Sequence, residues 1–329
     1  MKIFSGIQPT GRKHLGNYIG AIRQYVEGQE RGNPAIYCVV DLHATSVAYD
    51  ADALPGYVLD TVAMLMAAGL DPDRCILFRQ SDVMEHAELC WLLCSVTSYG
   101  DLQRMHQFKD KSGRERELIR ASLFLYPVLQ AADILAYKAH EVPVGDDQRQ
   151  HLELTRDIAE RFNATYGEVL VTPEHRIPEV GARIMDLQDP TTKMSTTYSA
   201  ENGLIFIDED ADQIRRKIKR AQTDSGSEVR RGEGKEGIAN LIDIMSAARG
   251  IAPDQVENEF EGSGYGDFKA AVGDAVAELL GPVRERYLEL RRDEAALEAT
   301  LRGGGDKARE VASQTLAEVR RAMGVGPRG

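Results

Sequence analysis

Residues 2–26 read KIFSGIQPTGRKHLGNYIGAIRQYV, and this stretch decides the fold class. Its first five residues, Lys2 to Gly6, form a short β-rich run that ends in a turn rich in glycine and proline. The apolar residues that follow recur at i, i+4, i+7 and i+11, on one face of a helix: Leu15, Ile19, Ile22 and Val26. The stretch therefore predicts a strand, a turn and a helix that docks on a sheet.

The same alternation of short β-rich runs and helical patterns continues through residues 1–170. The further strand candidates are Ala35 to Val40, Cys75 to Gln80 and Val142 to Gly145. Each precedes a segment with helical periodicity, and this order is typical of a parallel sheet covered by helices on both faces. We predict a doubly wound, Rossmann-like α/β domain over residues 1–207.

The β-rich runs end near Asp208, and amphipathic helical patterns follow. Glycine clusters at residues 232–237, 262–266 and 303–305 interrupt these patterns, so we expect the helices to break there. The chain of 329 residues is long for one core, which favours a second domain. Residues 208–329 are predicted to form this all-helical domain.

Composition bounds the class of protein. A hydrophobic fraction of 43% and a charged fraction of 28% describe an ordinary globular protein, and no apolar run approaches the roughly 20 residues that span a bilayer. We expect no membrane segment. The net charge of −12 argues against a globally basic surface for nucleic acid. Two local basic stretches, at residues 104–120 and 215–220, are by themselves better interpreted as solvated helix faces.

The four cysteines lack Cys-x-x-Cys spacing and lie in apolar surroundings: Cys38, Cys75, Cys90 and Cys94. Cys90 and Cys94 share a helix face, but no second thiol or histidine pair has matching spacing for a metal. Core packing of reduced thiols is favoured over metal binding, so we predict no metal site and a cytoplasmic location.

The turn after the first strand holds Gly6, Pro9, Gly11 and Gly16, and the helix begins near Asn17. Backbone N–H groups and the helix dipole would converge there on an anion. The spacing fits neither the dinucleotide G-x-G-x-x-G motif nor the Walker G-x-x-x-x-G-K motif. The turn therefore indicates a different kind of nucleotide site.

Residues 5–21, SGIQPTGRKHLGNYIGA, resemble the ATP-binding opening of class I aminoacyl-tRNA synthetases, with His14-Leu15-Gly16-Asn17 in place of their HIGH motif. The resemblance implies that ATP contacts the following residues: Gln8, Pro9, Thr10, Gly16 and Asn17. It also implies that Asn17 contributes to catalysis.

Lys193-Met194-Ser195-Thr196-Thr197 resembles the mobile KMSKS loop of the same family. A lysine there can neutralise charge on the reacting phosphates. Thr196 removes the second positive charge of the pattern, so catalysis would depend on Lys193 and Ser195, with help from Lys111. The resemblance adds Gly145, Asp146, Asp147 and the backbone of Ile184 to the ATP contacts, together with residues 193–197.

Residues 126–135, YPVLQAADIL, resemble the specificity helix of the tryptophan enzymes in this family. Asp133 lies among Ala, Ile and Leu, and a carboxylate in such apolar surroundings needs a hydrogen-bonding or charged partner. The resemblance gives Asp133 the indole N–H of tryptophan, whereas a structural salt bridge or a capped N–H is the alternative. The other implied pocket residues are Phe4, Gly6, His43, Tyr126, Gln130, Val142, Val144 and Gln148. Core packing is the alternative for Phe4 and the valines, and His43 has a structural alternative as well.

The implied reaction is the two-step charging of tRNA(Trp) with L-tryptophan, with ATP as substrate and Mg²⁺ arriving with ATP. Residues 208–329 would bind the anticodon, and a homodimer is implied, with apolar helices between Glu85 and Tyr137 as candidates for the interface. Three alternatives stay open: a tyrosine enzyme, a regulatory protein that binds tryptophan and ATP without charging tRNA, and a metabolic nucleotidylyltransferase.

Overall fold

Five parallel strands form one sheet at the centre of this computed structural model, which describes residues 1–106, 120–145, 148–176, 183–196 and 199–327. The strand order is β3-β2-β1-β4-β5. The strands are β1 (Ile3–Ile7), β2 (Ala35–Val39), β3 (Ile76–Arg79), β4 (Glu141–Pro143) and β5 (Glu174–Arg176). The predicted doubly wound parallel sheet is confirmed.

The first helix, α1, spans residues 15–30 and contains a π-helical turn at Tyr18–Ile22, between α-helical stretches at Leu15–Asn17 and Arg23–Glu30. The other described α-helices are α2 (Asp41–Ala44), α3 (Leu54–Ala67), α4 (Glu85–Cys94), α5 (Tyr99–Arg104), α6 (Ala121–Leu135), α7 (Arg149–Tyr166), α8 (Ala211–Lys219), α9 (Glu236–Arg249), α10 (Pro253–Glu259), α11 (Tyr265–Leu290) and α12 (Glu294–Met323). Short 3-10 turns lie at Gln80–Asp82 and Glu201–Gly203.

All four strands expected from the sequence are present, with ends displaced by one or two residues. The fifth strand, β5, was not predicted because its residues, Glu-His-Arg, are polar and largely exposed at the sheet edge. Such a strand forms through pairing with its neighbour, and Val142 of β4 is opposite His175 of β5. Edge strands often carry charged residues, and these obscure the apolar pattern.

Alternating residues of each strand feed two cores, one on each face of the sheet. Ile3 and Tyr37 belong to the core that includes α1, α3 and much of the helical region. Phe4 and Phe78 belong to the core that includes α4, α6 and α7. The chain moves outward from β1 through β2 to β3 and returns to the other side for β4. The carboxyl ends of β1 and β4 therefore flank the crevice in which such sheets bind ligands.

The last helix, α12, returns to the sheet and packs on edge strand β3. Ala308, Ala312 and Leu316 of this helix share a core with Phe78. Asn240 of α9 also reaches the first domain, through hydrogen bonds to Met185. The helical region thus packs closely on residues 1–207, and the domain boundary at residues 207 and 208 stays a prediction.

The expectation that residues 303–305 break a helix is wrong, because α12 runs without interruption from Glu294 to Met323. A Cβ added at Gly304 would lie only 1.9 Å from the Leu77 carbonyl oxygen of β3. A glycine at this position lets the helix approach the strand backbone closely, at the expense of helix propensity. The cluster therefore reflects packing and not a turn.

Within the described part of the chain, no helix combines the length and apolar character needed to cross a membrane.

We predict that Gly304→Ala destabilises the protein, because the new methyl group forces α12 away from β3, at a cost of about 1–3 kcal/mol. Gly303→Ala is the matched control. A Cβ at Gly303 meets no atom within 4 Å, so this change should stabilise the helix by about 0.5–1 kcal/mol. Unfolding midpoints of the two variants, compared with the wild type, test the prediction. Equal midpoints for the two variants would contradict it.

Candidate active site

The loop after β1 holds the first set of predicted nucleotide contacts. Gln8 and Thr10 are exposed and Pro9 is buried between them. Gly11 adopts a left-handed φ of +63°, which favours glycine because a side chain would be strained there. The buried Lys13 closes the loop through its Nζ atom, which donates to the Gln8 carbonyl oxygen at 2.8 Å. The loop thus presents the Gln8 and Thr10 side chains to solvent at the carboxyl end of the central strand.

The start of α1 offers fewer free amides than the sequence suggested. The Leu15 N–H donates to the Ile205 carbonyl oxygen at 2.8 Å, and the Asn17 N–H donates to the His14 carbonyl oxygen at 2.8 Å. The Asn17 side chain caps the helix, because its Oδ1 accepts from the His14 N–H at 3.1 Å. Among these first amides, only that of Gly16 lacks a partner in the described residues. An anion would therefore meet Gly16 first.

The two signature segments are residues 14–17 and residues 193–197. Two antiparallel backbone pairings bring the described parts of these segments together. Ile207 donates to the Lys13 carbonyl oxygen at 3.0 Å, so the segment after the second motif pairs with the start of α1. Met194 donates to the Ile184 carbonyl oxygen at 3.0 Å, which forms a hairpin. As a result, a Cβ at Gly16 would lie 3.7 Å from the Met194 Cβ. The motifs at residues 14–17 and 193–196 are neighbours in space.

The signature hairpin, residues 184–194, is held by Asn240 of α9, a residue that the sequence analysis did not single out. The Asn240 amide accepts from the Met185 N–H at 2.9 Å and donates to the Met185 carbonyl oxygen at 3.0 Å. It thereby replaces a neighbouring strand for one residue. A buried Asn in an apolar helix was the available signal, but its partner is 55 residues away in the chain.

The positive charge at this junction comes mainly from lysine. Burial, reinforced by the charges of Lys13 and Lys193, lowers the pKa of His14 to about 4, so its ring is neutral at pH 7. Its Nδ1 is buried without a partner among the described residues. Burial also lowers the pKa of Lys13 to about 8, against the opposing charge of Asp60. Lys193 is exposed at the hairpin, where it can reach a bound phosphate.

Asp133, on α6, lies in the interior with 2% of its surface exposed. His43 Nε2 lies 2.7 Å from its Oδ2, and Gln80 Nε2 donates to its Oδ1 at 2.7 Å. His86 Nδ1 lies 2.5 Å from the same Oδ1. Burial alone would raise the pKa of Asp133, but the hydrogen bonds from His43 and His86 hold it well below its usual range. The group is therefore an ionised acceptor.

The partners of Asp133 are themselves held in place. Gln80 accepts the Leu42 N–H at 3.0 Å, which links Asp133 to α2. His86 is fully buried, and its Nε2 lies 2.6 Å from the Tyr137 hydroxyl. Because an ionised carboxylate can only accept, the His86 Nδ1–H donates to Asp133. In the neutral imidazole, Nε2 then accepts a hydrogen bond from the Tyr137 hydroxyl, whose pKa is raised by burial.

The described hydrogen bonds are shared unequally between the two oxygens of Asp133. A carboxylate oxygen accepts about two hydrogen bonds. Oδ1 already accepts from Gln80 and His86, whereas Oδ2 accepts from His43 alone among the described residues. Asp133 and His43 are thus paired with each other, as in the structural alternative, and contact of either residue with a substrate stays a prediction. Gln80, His86 and Tyr137 were missed because the sequence does not specify which donors reach a buried carboxylate.

Several of the remaining predicted pocket residues lie near the carboxyl ends of β1 and β4, which flank the crevice described above. Gly6 is exposed near the carboxyl end of β1. The Tyr126 hydroxyl is hydrogen-bonded to His151 Nε2 at 2.6 Å. The amides of Gln130 and Gln148 are in contact, with Gln130 Nε2 3.4 Å from Gln148 Oε1. Val142 is buried in β4, and the two residues that follow β4 are half-buried: Val144 and Gly145. These groups lie at the switch point between β1 and β4.

Phe4 is buried and stacks on Tyr137, with ring centroids 5.3 Å apart. This packing agrees with the core alternative for Phe4, and its contact with a substrate stays a prediction. Four other predicted site residues lie outside the described residues: Lys111, Asp146, Asp147 and Thr197.

Comparison with known proteins places the chain in a family. The family model for class I tRNA synthetases (W and Y) matches residues 1–281. A tryptophan–tRNA ligase of Wolinella succinogenes is 46% identical over 324 residues, which cover 98% of each chain. The solved tryptophanyl-tRNA synthetase of Mycoplasma pneumoniae has a TM-score of 0.91 at 35% identity and covers 99% of this chain and 98% of its own.

A second solved relative carries ligands. The tryptophanyl-tRNA synthetase of Campylobacter jejuni, complexed with ADP and tryptophan, has a TM-score of 0.82 at 32% identity. The match covers 99% of this chain and 100% of that one. Because the family model matches most of the chain and the curated relative matches it almost end to end, the chain belongs to the class I tRNA synthetases of the tryptophan and tyrosine family.

Proposed function

We propose that the chain is a tryptophan–tRNA ligase. It activates L-tryptophan with ATP to tryptophanyl-adenylate and pyrophosphate, and then transfers tryptophan to the 3′ end of tRNA(Trp). The observation that carries the proposal is the buried, ionised Asp133, whose Oδ2 accepts from one described donor, His43. The close relatives named for tryptophan, one of them bound to ADP and tryptophan, support it.

Asp133 selects the amino acid by accepting the indole N–H on Oδ2. A substrate that lacks a ring donor, such as phenylalanine, leaves this buried acceptor unpaired, which is worth roughly 10⁴–10⁵ in discrimination. The other residues assigned to the tryptophan pocket are Phe4, Gly6, His43, Tyr126, Gln130, Val142, Val144 and Gln148. The small Gly6 and the half-buried Val144 leave room for the substrate at the strand ends, and the Gln148 amide suits the α-amino group.

ATP occupies the junction of the two signature segments. Gly16 has no side chain, which permits the close approach of adenine next to Met194. The other assigned ATP contacts are Gln8, Pro9, Thr10, Asn17, Gly145, Asp146, Asp147, Ile184, Lys193, Met194, Ser195, Thr196 and Thr197. Residues 208–329 form the helical domain that binds the anticodon.

The chemistry needs position and charge and no covalent enzyme intermediate. A carboxylate oxygen of tryptophan attacks the α-phosphorus of ATP, and the bond to the pyrophosphate oxygen breaks. Lys193 neutralises charge on the phosphates, and Ser195, Asn17 and Lys111 assist. A hydroxyl of the terminal tRNA ribose then attacks the adenylate carbonyl, and AMP leaves.

Mg²⁺ enters as part of the ATP substrate, where it offsets phosphate charge. This ion prefers oxygen ligands and retains water or phosphate oxygens in its shell. Among the described residues, no three His, Cys, Asp or Glu side chains cluster as a metal site would require.

The enzyme is a homodimer in this proposal. Met84, which precedes α4, is 79% exposed, and Trp91 on α4 is 76% exposed. Tyr99 is 68% exposed beside Phe124, and Leu125 on α6 is also exposed. Large exposed apolar side chains on adjacent helices are characteristic of an interface. The buried and half-buried free cysteines fit a reducing compartment, so we expect the enzyme to work in the cytoplasm.

The proposed activity predicts tryptophan-dependent exchange of pyrophosphate into ATP, and charging of tRNA(Trp) with tryptophan but not with tyrosine. Lys193→Ala should slow the exchange by about 10²-fold or more, because one positive charge on the phosphates is lost. Charging with tyrosine would indicate the other branch of the family. Exchange without charging would indicate a regulatory protein, and silence in both assays would overturn the proposal.

The role of Asp133 predicts a pH effect in His86→Leu. Its depressed pKa keeps the wild-type carboxylate ionised from pH 8 to pH 5, so tryptophan binding should change little over this range. Loss of the His86 donor leaves burial less well compensated and raises the pKa of Asp133. Binding to the variant should then weaken as the pH falls, by up to about tenfold per pH unit below the new pKa.

Equilibrium dialysis with labelled tryptophan measures this effect without ATP. His86→Asn is the matched control, because its amide retains a donor near the Nδ1 position and should leave binding independent of pH. A flat pH profile for His86→Leu would remove His86 from its role beside Asp133.

The dimer predicts that Trp91→Glu lowers the sedimentation coefficient to that of a monomer, since a charge would be buried in the interface. Leu288→Glu is the control, because Leu288 is also exposed but lies on α11, away from this face. A wild-type protein that sediments as a monomer would contradict the proposal.

A further inference from the structure

Helix α8 carries a run of cations that the reaction described above does not use. Its buried face consists of Ile214 and Ile218, which hold it on the core. Residues 215–220 are Arg-Arg-Lys-Ile-Lys-Arg, in a chain whose net charge is −12. Cations in the last turn favour the helix dipole, which explains part of this pattern. The ion pairs of the individual side chains separate this structural role from a further one.

Two of the cations are occupied by the protein itself. The Arg215 Nε donates to Asp274 at 2.7 Å, and the same guanidinium also pairs with Asp212. Lys217 donates to the Leu204 carbonyl oxygen at 2.9 Å and pairs with Glu209. These two side chains hold α8 against its neighbours.

Arg216 and Arg220 behave differently. Both are exposed, and neither forms an ion pair with any residue that the structure describes. They are four residues apart, so they lie on the same side of α8 and repel each other. Together with Asn202, Gln213 and Lys217 they line a groove of about 170 Å³. Two guanidinium groups with amides beside them suit phosphate, which arginine binds through paired N–H groups.

The groove borders the signature hairpin. The Gly203 carbonyl oxygen, on the turn that forms one wall, accepts from the Leu187 N–H at 3.0 Å. On the other wall, the Arg220 carbonyl oxygen accepts from the Gln188 side chain at 3.1 Å. Both walls are thus hydrogen-bonded to the hairpin that carries Lys193. The residues assigned to ATP do not line the groove, so an anion held here is separate from the nucleotide.

We propose that Arg216 and Arg220 bind backbone phosphates of the tRNA whose 3′ end enters the adjacent site. This inference rests on the proposed function for the identity of the RNA. Charge complementarity supports it, since two guanidinium groups without an ion pair among the described residues lie next to the hairpin that carries Lys193, in a protein with a large negative net charge. Phosphate contacts of this kind position an RNA without reading its sequence.

The test compares two double variants with the same loss of charge. Arg216→Gln/Arg220→Gln removes the two groove cations, and the control Arg215→Gln/Arg249→Gln removes two exposed arginines that are already paired with carboxylates. Filter binding of a tRNA(Trp) transcript is measured over a range of salt concentrations. Tryptophan-dependent pyrophosphate exchange and the melting temperature are measured for every variant.

We expect the groove variant to bind the transcript about tenfold more weakly. The plot of log K against log salt should become shallower by about 1.4–1.8, as the loss of two phosphate contacts requires. Its pyrophosphate exchange should be unchanged, and the control variant should bind as the wild type does. Arg216→Lys/Arg220→Lys should restore the salt slope, because it retains both charges.

An unchanged affinity and salt slope in the groove variant would overturn the inference. A raised KM for ATP in the exchange assay, with tRNA binding unaffected, would also overturn it and assign the groove to the nucleotide. If the wild type shows no exchange, the proposed function fails, whereas the binding measurement still decides whether the groove holds RNA. A lowered melting temperature with weaker exchange would identify a folding defect, and the lysine variant then decides the matter.

Discussion

The carboxylate of Asp133 is buried, and three other parts of the chain place hydrogen-bond partners around it. Leaving such a charge without partners would cost several kcal/mol. His43 follows β2, Gln80 follows β3, His86 lies in the first turn of α4, and Asp133 itself lies on α6. The hydrogen bonds among them fix how these elements meet at the carboxyl edge of the sheet. In the proposed function, Oδ2 also accepts from the substrate, so one residue would serve both the packing of these elements and the selection of the amino acid.

The second constraint is the pairing of segments that are far apart in the chain. Lys13 and Leu15 bond to Ile207 and Ile205, and the hairpin from Ile184 to Met194 lies beside them. The positively charged Lys193 is thereby held near a neutral His14, in a place where burial has already lowered the pKa of His14. Asn240 supports the hairpin from the helical region.

The cations at residues 215–220 differ in their partners. Arg215 and Lys217 of α8 are paired with carboxylates or carbonyl oxygens, which suits an acidic protein that must avoid indiscriminate binding of nucleic acid. Arg216 and Arg220 are exceptions beside the signature hairpin. A few local cations can guide an RNA to the site while the remaining surface repels it.

Local sequence patterns were enough to predict the parallel sheet and four of its strands, and they also predict roles for residues 14–17, residues 193–197 and Asp133. Apolar periodicity, glycine turns and short motifs are local properties, and they can be recognised without knowing where the chain folds back. Only the tertiary structure decided that residues 303–305 continue a helix, that the polar β5 completes the sheet, and that Gln80, His86 and Tyr137 serve Asp133. These features depend on which backbone or side chain arrives from a distant part of the chain. A glycine in close contact with a strand can have the same local sequence as a glycine in a turn. The residues around a buried carboxylate in the sequence do not show which distant side chains donate hydrogen bonds to it.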